Sequence, residues 1–192
     1  MRLQRTLIIM SLIIFCFSSI CGAANTNRFL NELSLGGIRL GMTYKDVVAI
    51  YGNPTRIEKG TSQLVRYKLF YGNSIEIHIG MSAGEKVIGI ISTANNGWST
   101  PSGLHVGMPM PRGLVEEIFG QPISIEPGNI NRPWAEYLYS YKEKIPAGYG
   151  ANGMPLELSI TRGITIGYAE RLGKIKKLHI WKEEFDPVPV RR

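Results

Sequence analysis

The sequence predicts an α+β fold of two tandem units, each with a helix packed on a small antiparallel sheet. The segment GIRLGMTYKDVVAIYGNP at 37–54 recurs as GLHVGMPMPRGLVEEIFGQP at 103–122. Strand-like alternation follows each copy, and the polar stretch STANNGWSTPSG separates the two copies. Residues 24–97 and 98–186 are therefore assigned to the two units, and residues 187–192 to a tail. The alternative is a chance similarity between two Gly-Pro turns.

Residues 1–23 have the pattern of a secretory signal peptide. Arg2 and Arg5 precede the apolar run LIIMSLIIFCFSSI, and small residues follow around Ala23. This order predicts cleavage after Ala23 or Ala24 and export of the remaining chain, because the run is short for a membrane anchor. The alternative is a segment that is not cleaved and anchors the protein.

Both cysteines, Cys16 and Cys21, lie in this segment. The cleaved chain would contain no cysteine, which is typical of an exported protein whose core supplies its own stability. Lipid attachment at Cys21 is the alternative, but Ile20 stands where a lipoprotein signal has a small residue. We therefore predict a secreted or periplasmic protein, with membrane contact only if Cys21 is lipidated.

The charge pattern gives no support to nucleic-acid binding. Removing Arg2 and Arg5 from the 22 basic residues leaves 20 against 15 acidic residues, a net charge of +5. The charge is spread over both halves, and its local clusters are KIKK at 174–177 and the tail Arg191–Arg192. A nucleic-acid site would need a concentrated basic stripe.

The first unit begins with a short helix after Thr43, which has Asp46 three residues later, as in a capping box. Apolar residues at helical spacing predict its buried stripe: Val47, Ile50 and Tyr51. Gly52 and Pro54 end the helix. An earlier helix is predicted over TNRFLNEL at 26–33. Three strands follow, with period-two alternation in SQLVRYKLF, SIEIHIG and KVIGIIS.

The second unit repeats this order. Pro111 suits the first turn of a helix that ends at Gly120 and Pro122. Its predicted inward-facing residues are Leu114, Ile118 and Phe119. Strands are predicted at WAEYLYSYK, LELSIT, ITIGYAER and KIKKLHIW, with a loop at EKIPAGYGANGMP between the first two.

The repeated pattern resembles the small outer-membrane-assembly lipoproteins of the SmpA/OmlA, or BamE-like, family. Its duplication resembles the tandem fold of the β-lactamase-inhibitor protein. The matching residues are Gly37, Gly41, Met42, Val47, Gly52 and Pro54, then Gly103, Gly107, Met108, Gly120 and Pro122. The resemblance covers most of residues 37–181 and implies helices packed on antiparallel sheets, with binding of other envelope proteins as the function. The duplication and the absence of a lipoprotein signal depart from the family.

No pattern of residues predicts catalysis, a metal or a cofactor. The histidines His78, His105 and His179 occur singly, without the paired spacing of a zinc site. A G-x-S-x-G motif is absent, and the glycines of AGYGANG at 147–153 are not followed by the Lys-Ser/Thr of a phosphate-binding loop. We expect no catalytic, metal-binding or cofactor-binding residue.

Aromatic residues are concentrated in the second half of the chain, and three of them are the candidate partner-binding residues: Trp134, Tyr149 and Trp181. Such side chains bury a large area at interfaces for a small loss of entropy. Tyr137, Tyr139 and Tyr141 alternate on one strand and are interpreted as sheet core. Tyr149 lies between Gly148 and Gly150, close to Pro146, so we predict that it is exposed and unpaired in a loop.

The sequence thus predicts an exported, non-enzymatic module that binds a protein of the bacterial envelope or a secreted protein. The alternative is a secreted inhibitor that places the loop around Tyr149 in the cleft of an extracellular or periplasmic enzyme. A purely structural envelope protein and an enzyme with an unrecognised site remain as further alternatives.

Overall fold

The computed structural model describes residues 27–60, 62, 64–81, 84–185 and 187–190. The predicted signal peptide and Cys21 lie outside these residues. The elements in chain order are α1 (27–31), β1 (Ser34–Leu35), β2 (Ile38–Arg39), α2 (Tyr44–Tyr51), β3 (Arg56–Lys59), β4 (Val65–Tyr71), β5 (Ile75–Gly80), β6 (Val87–Ser92), α3 (Arg112–Phe119), β7 (Ser124–Glu126), β8 (Ala135–Tyr149), β9 (Pro155–Ala169), a 3₁₀ turn (Glu170–Leu172), β10 (Lys174–Glu184) and β11 (Val188–Pro189).

The prediction of two tandem helix-plus-sheet units is wrong. One antiparallel sheet of nine strands dominates the molecule, in the order β3-β4-β5-β6-β10-β9-β8-β7, with β11 paired to β9. The halves meet where β6 pairs with β10, with Ile90 opposite Ile180. The alternation of apolar residues shows which face a strand buries but not which strand lies beside it. The boundary between residues 97 and 98 stays a prediction.

The composition of β6 explains its central position. Its sequence VIGIIS is apolar at nearly every position, which suits a strand with a neighbouring strand on each side better than a strand at the edge of the sheet. Pairing with β10 satisfies the backbone groups that an edge would leave unpaired. The separate sheets of the sequence-based prediction would have exposed that edge to association with other chains.

The two repeated Gly-Met segments make the same contacts with this sheet. The backbone of Gly41–Met42 exchanges hydrogen bonds of 2.8 and 2.7 Å with Val87, at the start of β6. The backbone of Gly107–Met108 exchanges bonds of 2.8 and 2.9 Å with Ile175, near the start of β10. Gly41 and Gly107 have φ values of 89° and 97°, a conformation that side chains disfavour. The sequence repeat therefore marks two equivalent attachments of the chain to one sheet.

The helices pack on one face of the sheet. The capping box of α2 is confirmed, since Thr43 and Asp46 exchange backbone-to-side-chain hydrogen bonds. Val47 is fully buried, but Ile50 is 50% exposed, so its predicted place in the buried stripe is wrong. In α3, Ile118 and Phe119 are buried as predicted. The sheet contributes these buried residues to the same core: Leu69, Ile75, Ile77, Ile90, Tyr139, Ile164, Ile166, Leu178 and Ile180.

The longest elements, β8 and β9, form a hairpin of two 15-residue strands. The separately predicted strands LELSIT and ITIGYAER are one strand, and most of the predicted loop EKIPAGYGANGMP is strand as well. Pro146 is tolerated because β7 covers only residues Glu136–Leu138 of β8, which leaves the rest of β8 at an edge. None of the helices in the described part of the chain is long and apolar enough to cross a membrane.

Candidate functional site

The face of the sheet opposite the helices is the candidate site, and we call it the open face. Residues that are directly paired across strands point to the same side of a sheet. The register from β4 to β8 therefore places on this face Lys68, Glu76, His78, Glu136, Leu138, Thr165, Lys177, His179 and Trp181. All of them are only partly buried, so their side chains are accessible to a partner.

Two tryptophan rings lie against glycines of β9. A Cβ atom on Gly163 would lie 2.6 Å from Cζ2 of Trp181, and a Cβ on Gly167 would lie 2.8 Å from Cδ1 of Trp134. Any side chain at either glycine would displace the ring above it. The two glycines are four residues apart on one strand face, so the two rings lie about 13 Å apart along β9. Between them, Trp181 Nε1 donates a hydrogen bond of 3.3 Å to Thr165.

Two histidines extend this aromatic surface toward β5. The ring of His78 lies over Gly89, where a Cβ would come within 3.1 Å of Nδ1. The rings of His78 and His179 meet edge to face, with centroids 6.2 Å apart. Burial lowers the pKa of His179 to about 4, and the nearby Lys177 and His78 act in the same direction. His179 is therefore neutral at physiological pH.

Two carboxylates, each bonded to two bases, flank the aromatic residues. Glu76 lies 2.9 Å from Lys68 and 2.7 Å from His78. Burial raises the pKa of the Glu76 carboxyl, but the hydrogen bonds from Lys68 and His78 lower it more, so the pKa lies below its ordinary value. The site thus keeps this carboxylate ionised and its charge matched.

Glu136 forms the second cluster, at 2.8 Å from Arg132 and 3.1 Å from Lys177. Burial raises the pKa of the Glu136 carboxyl, but the hydrogen bond and charge of Lys177 and the charge of Arg132 lower it more. The Trp134 indole N–H is close enough to contribute to this lowering, but the contact lacks hydrogen-bond geometry.

A cavity of about 270 Å³ lies over the centre of the open face. His78, Thr165, His179 and Trp181 line it, together with Leu64 beside β4. Within the described residues, no hydroxyl group hydrogen-bonds to either histidine, and no group of three His, Cys, Asp or Glu side chains could hold a metal. The arrangement offers aromatic and apolar area between paired charges, which suits binding of a ligand surface.

The structure brings together two of the three predicted partner-binding residues. Trp134 and Trp181 lie on the open face, whereas Tyr149 lies at the far end of β8, opposite Pro155 of β9. Pro155 and Gly163 are eight residues apart, so Tyr149 is about 26 Å from Trp181 along the hairpin.

The prediction that Tyr149 is unpaired in a loop is wrong, although its side chain is 77% exposed, as expected. A register shift between Pro146 and Tyr149, with Gly148 at φ 92°, lets the strand resume pairing after the proline.

Sequence reasoning missed the two histidines and the glycines beneath the rings. His179 and Trp181 are two residues apart in one strand, so alternation alone would have placed them on one face. The spacing of Gly163 and Gly167 is a second usable signal, because glycine within a strand marks a site where another group approaches closely.

Comparison with protein families and with curated proteins gives no match. Among solved structures, the chain is similar to a DUF4309 family protein, YjgB, from Bacillus subtilis, with a TM-score of 0.45 and 11% identity over 83% of this chain and 93% of that one. It is also similar to an extracellular protein containing a SCP domain from Bacillus anthracis, with a TM-score of 0.43 and 10% identity over 78% of this chain and 50% of that one.

Proposed function

We propose that this chain is an exported, non-enzymatic protein-binding module of the bacterial cell envelope, and that the open face of its sheet contacts the partner. Export rests on the signal-peptide pattern of residues 1–23. The observation that carries the binding role is the placement of Trp134 and Trp181 against Gly167 and Gly163 on the face that the helices leave uncovered.

The physical argument is the match between this face and the anatomy of a protein interface. Interfaces have an aromatic centre, from which water is excluded, and a polar rim. Rings already packed against glycine lose little conformational freedom on binding, so the entropy cost of burying them is small. The clusters around Glu76 and Glu136 provide the rim, and because their charges are already paired, a partner need not neutralise a buried charge.

Affinity capture tests this proposal. The mature chain, beginning at Asn25, is immobilised and exposed to an envelope extract, and so is the variant Trp181→Ala. The expected result is a partner that the wild-type chain retains and the variant retains at about a tenth or less of that amount, as for an interface hot spot. Ile130→Ala is the matched control, because Ile130 is a fully accessible loop residue off the sheet. Retention that is equal for all three chains would contradict the use of the open face.

The second candidate function is inhibition of a secreted enzyme through Tyr149. The β8–β9 hairpin supports it, because its pairs continue beyond Ile160, where β10 ends, as far as Tyr149 and Pro155, with the short β11 beside β9. An exposed tyrosine at the tip of a hairpin suits insertion into the cleft of an enzyme. Inhibition assays with secreted hydrolases, using wild-type chain and Tyr149→Ala, test this candidate; it predicts inhibition that the substitution weakens.

A further inference from the structure

A second concave site lies at the end of the sheet where β8 and β10 begin and β9 ends. It has a volume of about 660 Å³. Its walls are mostly apolar and include Pro133, Trp134, Ala169 and Leu172, and two cations, Arg171 and Lys176, also line it. We call it the cationic groove. Trp134 belongs both to this groove and to the open face, so the groove is continuous with the proposed interface.

The cations of the groove differ from those of the open face in lacking an acidic partner. Arg132 and Lys177 are both bonded to Glu136. Across the described part of the chain, neither Arg171 nor Lys176 forms a salt bridge, and neither does the neighbouring Lys174. Two unpaired positive charges next to an apolar wall are complementary to a ligand with an apolar group and carboxylates.

The position of Lys176 is set by a β-bulge. The register of β10 against β9 shifts between Ile175 and Lys177, so Lys176 is the additional residue. Such bulges redirect side chains and are frequent next to functional sites. Here the bulge lets Ile175 and Leu178 both face the core, while Lys176 lies in the groove.

The first half of the sheet shows that the fold does not require a lysine at the bulge. The register of β6 against β5 shifts in the same way, between the pairs of Val87 and Gly89, so Ile88 is the additional residue there. Val87 and Ile175 accept the equivalent hydrogen bonds from the two Gly-Met segments. Ile88 lies in a groove with Leu64 and Leu158, which Lys182, Glu183 and Glu184 also line. The same backbone feature thus carries an aliphatic residue in one half and a cation in the other, so the cation is attributed to binding.

We propose that the cationic groove binds a short acidic peptide segment of the protein partner. This inference rests on the proposed function and names the chemistry of its partner. An apolar side chain of the peptide packs between Trp134 and Leu172, and its carboxylates pair with Arg171 and Lys176. A peptide fits better than an anionic lipid surface because the site is a concavity of about 660 Å³, lined by Trp134, Leu172 and Lys176, whereas a lipid surface is planar.

The test uses a fluorescent peptide with a central leucine and two acidic residues on each side, and a control peptide with lysines in place of the acids. Fluorescence anisotropy with the mature chain should show binding of the acidic peptide with a Kd of about 1 mM or tighter. The variant with both Arg171→Ala and Lys176→Ile should weaken it by about fivefold or more. Lys45→Ala, an exposed cation of α2, should leave it unchanged. Lys176→Ile introduces the aliphatic residue that β6 carries, so the fold tolerates it.

Three outcomes would overturn this inference. One is equal affinity for the acidic and lysine peptides, and another is equal weakening by the double variant and by Lys45→Ala. The third is binding to vesicles of equal parts phosphatidylglycerol and phosphatidylcholine that depends on Arg171 and Lys176, without peptide binding. If the acidic peptide fails while capture of a protein still depends on Trp181, the groove assignment fails and the proposed function stands. If the peptide binds and no protein is captured, the groove stands and the proposed function fails.

Discussion

Trp181 and Gly163 face each other across the β10–β9 pair, and the indole ring occupies the space that a Cβ on Gly163 would need. The backbone oxygen of Tyr139 closes the same space from the other side, at 2.5 Å from the Cβ position. The position of the Trp181 ring therefore depends on the absence of a side chain at this one position of β9.

The first prediction is that Gly163→Ala destabilises the protein by about 1 to 3 kcal/mol, because the added methyl group overpacks the contact and must displace the ring or the strand. Urea unfolding measures the loss, and tryptophan fluorescence reports the displaced ring. Gly113→Ala is the matched control: Gly113 lies in α3 with open space around it, so the alanine should be neutral or stabilise by about 1 kcal/mol. Equal effects of the two substitutions would contradict the role of Gly163.

The second prediction concerns Val47 and Ile118, which anchor α2 and α3 on the sheet and are buried. Val47→Ala or Ile118→Ala should each cost about 2 to 4 kcal/mol in unfolding free energy, because each leaves a cavity in the core. Ile50→Ala in the same helix as Val47 should cost less than about 1 kcal/mol, since Ile50 is half exposed. Chemical denaturation of the three variants distinguishes the two classes, and a large loss for Ile50→Ala would contradict the observed face of α2.

Several of the elements could be predicted from local signals in the sequence. The capping box of Thr43 and Asp46 predicts the start of α2, and the alternation in SIEIHIG predicts β5. The pairing of β6 with β10 could not be predicted, because Ile90 and Ile180 are far apart in the chain and their contact depends on a choice among possible partner strands. Pro146 and Gly148 led to the wrong prediction of a loop, because an edge strand with a bulge tolerates both residues.

Part of the candidate site was within reach of the sequence. Trp134 and Trp181 could be selected by residue type, and the spacing of His179 and Trp181 implied a shared face. The cationic groove could not be predicted, because Trp134, Leu172 and Lys176 come together only through the pairing of β8, β9 and β10. Lys176 also reaches the groove through a bulge, which breaks the alternation on which strand predictions depend.

The third prediction is a loss of stability in mild acid that depends on His179. Burial lowers the pKa of this side chain from 6.5 to about 4. Between pH 6.5 and pH 4, His179 is therefore protonated in the unfolded chain and neutral in the folded chain. The contribution of His179 to stability is therefore complete above pH 6.5 and falls as the pH drops toward 4, with a total of up to about 3 kcal/mol.

Urea unfolding between pH 7.5 and 4 measures this change, and His179→Gln should remove most of it. Lys177 and His78 act with burial on His179, while Glu76 and Glu136 oppose them. These two carboxylates have pKa values below their ordinary value of 4.5, so their contribution to stability falls from about pH 5 downward, as the carboxyls of the unfolded chain bind protons, and His179→Gln does not remove this part. A pH profile that His179→Gln leaves unchanged would contradict the assignment to this residue.

The fourth prediction separates the hairpin tip from the fold. Tyr149 ends β8 opposite Pro155, but its side chain is exposed and contributes no area to the core, so Tyr149→Ala should leave thermal stability nearly unchanged. If the tip contacts a partner, an exposed tyrosine there supplies buried area on binding, and the substitution should weaken the complex by more than about 1 kcal/mol. Calorimetric titration with the captured partner, or an inhibition constant against an enzyme, measures the loss.

Trp181→Ala serves as the comparison on the open face, about 26 Å away along the hairpin. Weakening by Trp181→Ala alone assigns binding to the open face and rules out the inhibitor role of the tip. A loss of folding in Tyr149→Ala would instead show that the tyrosine supports the hairpin itself.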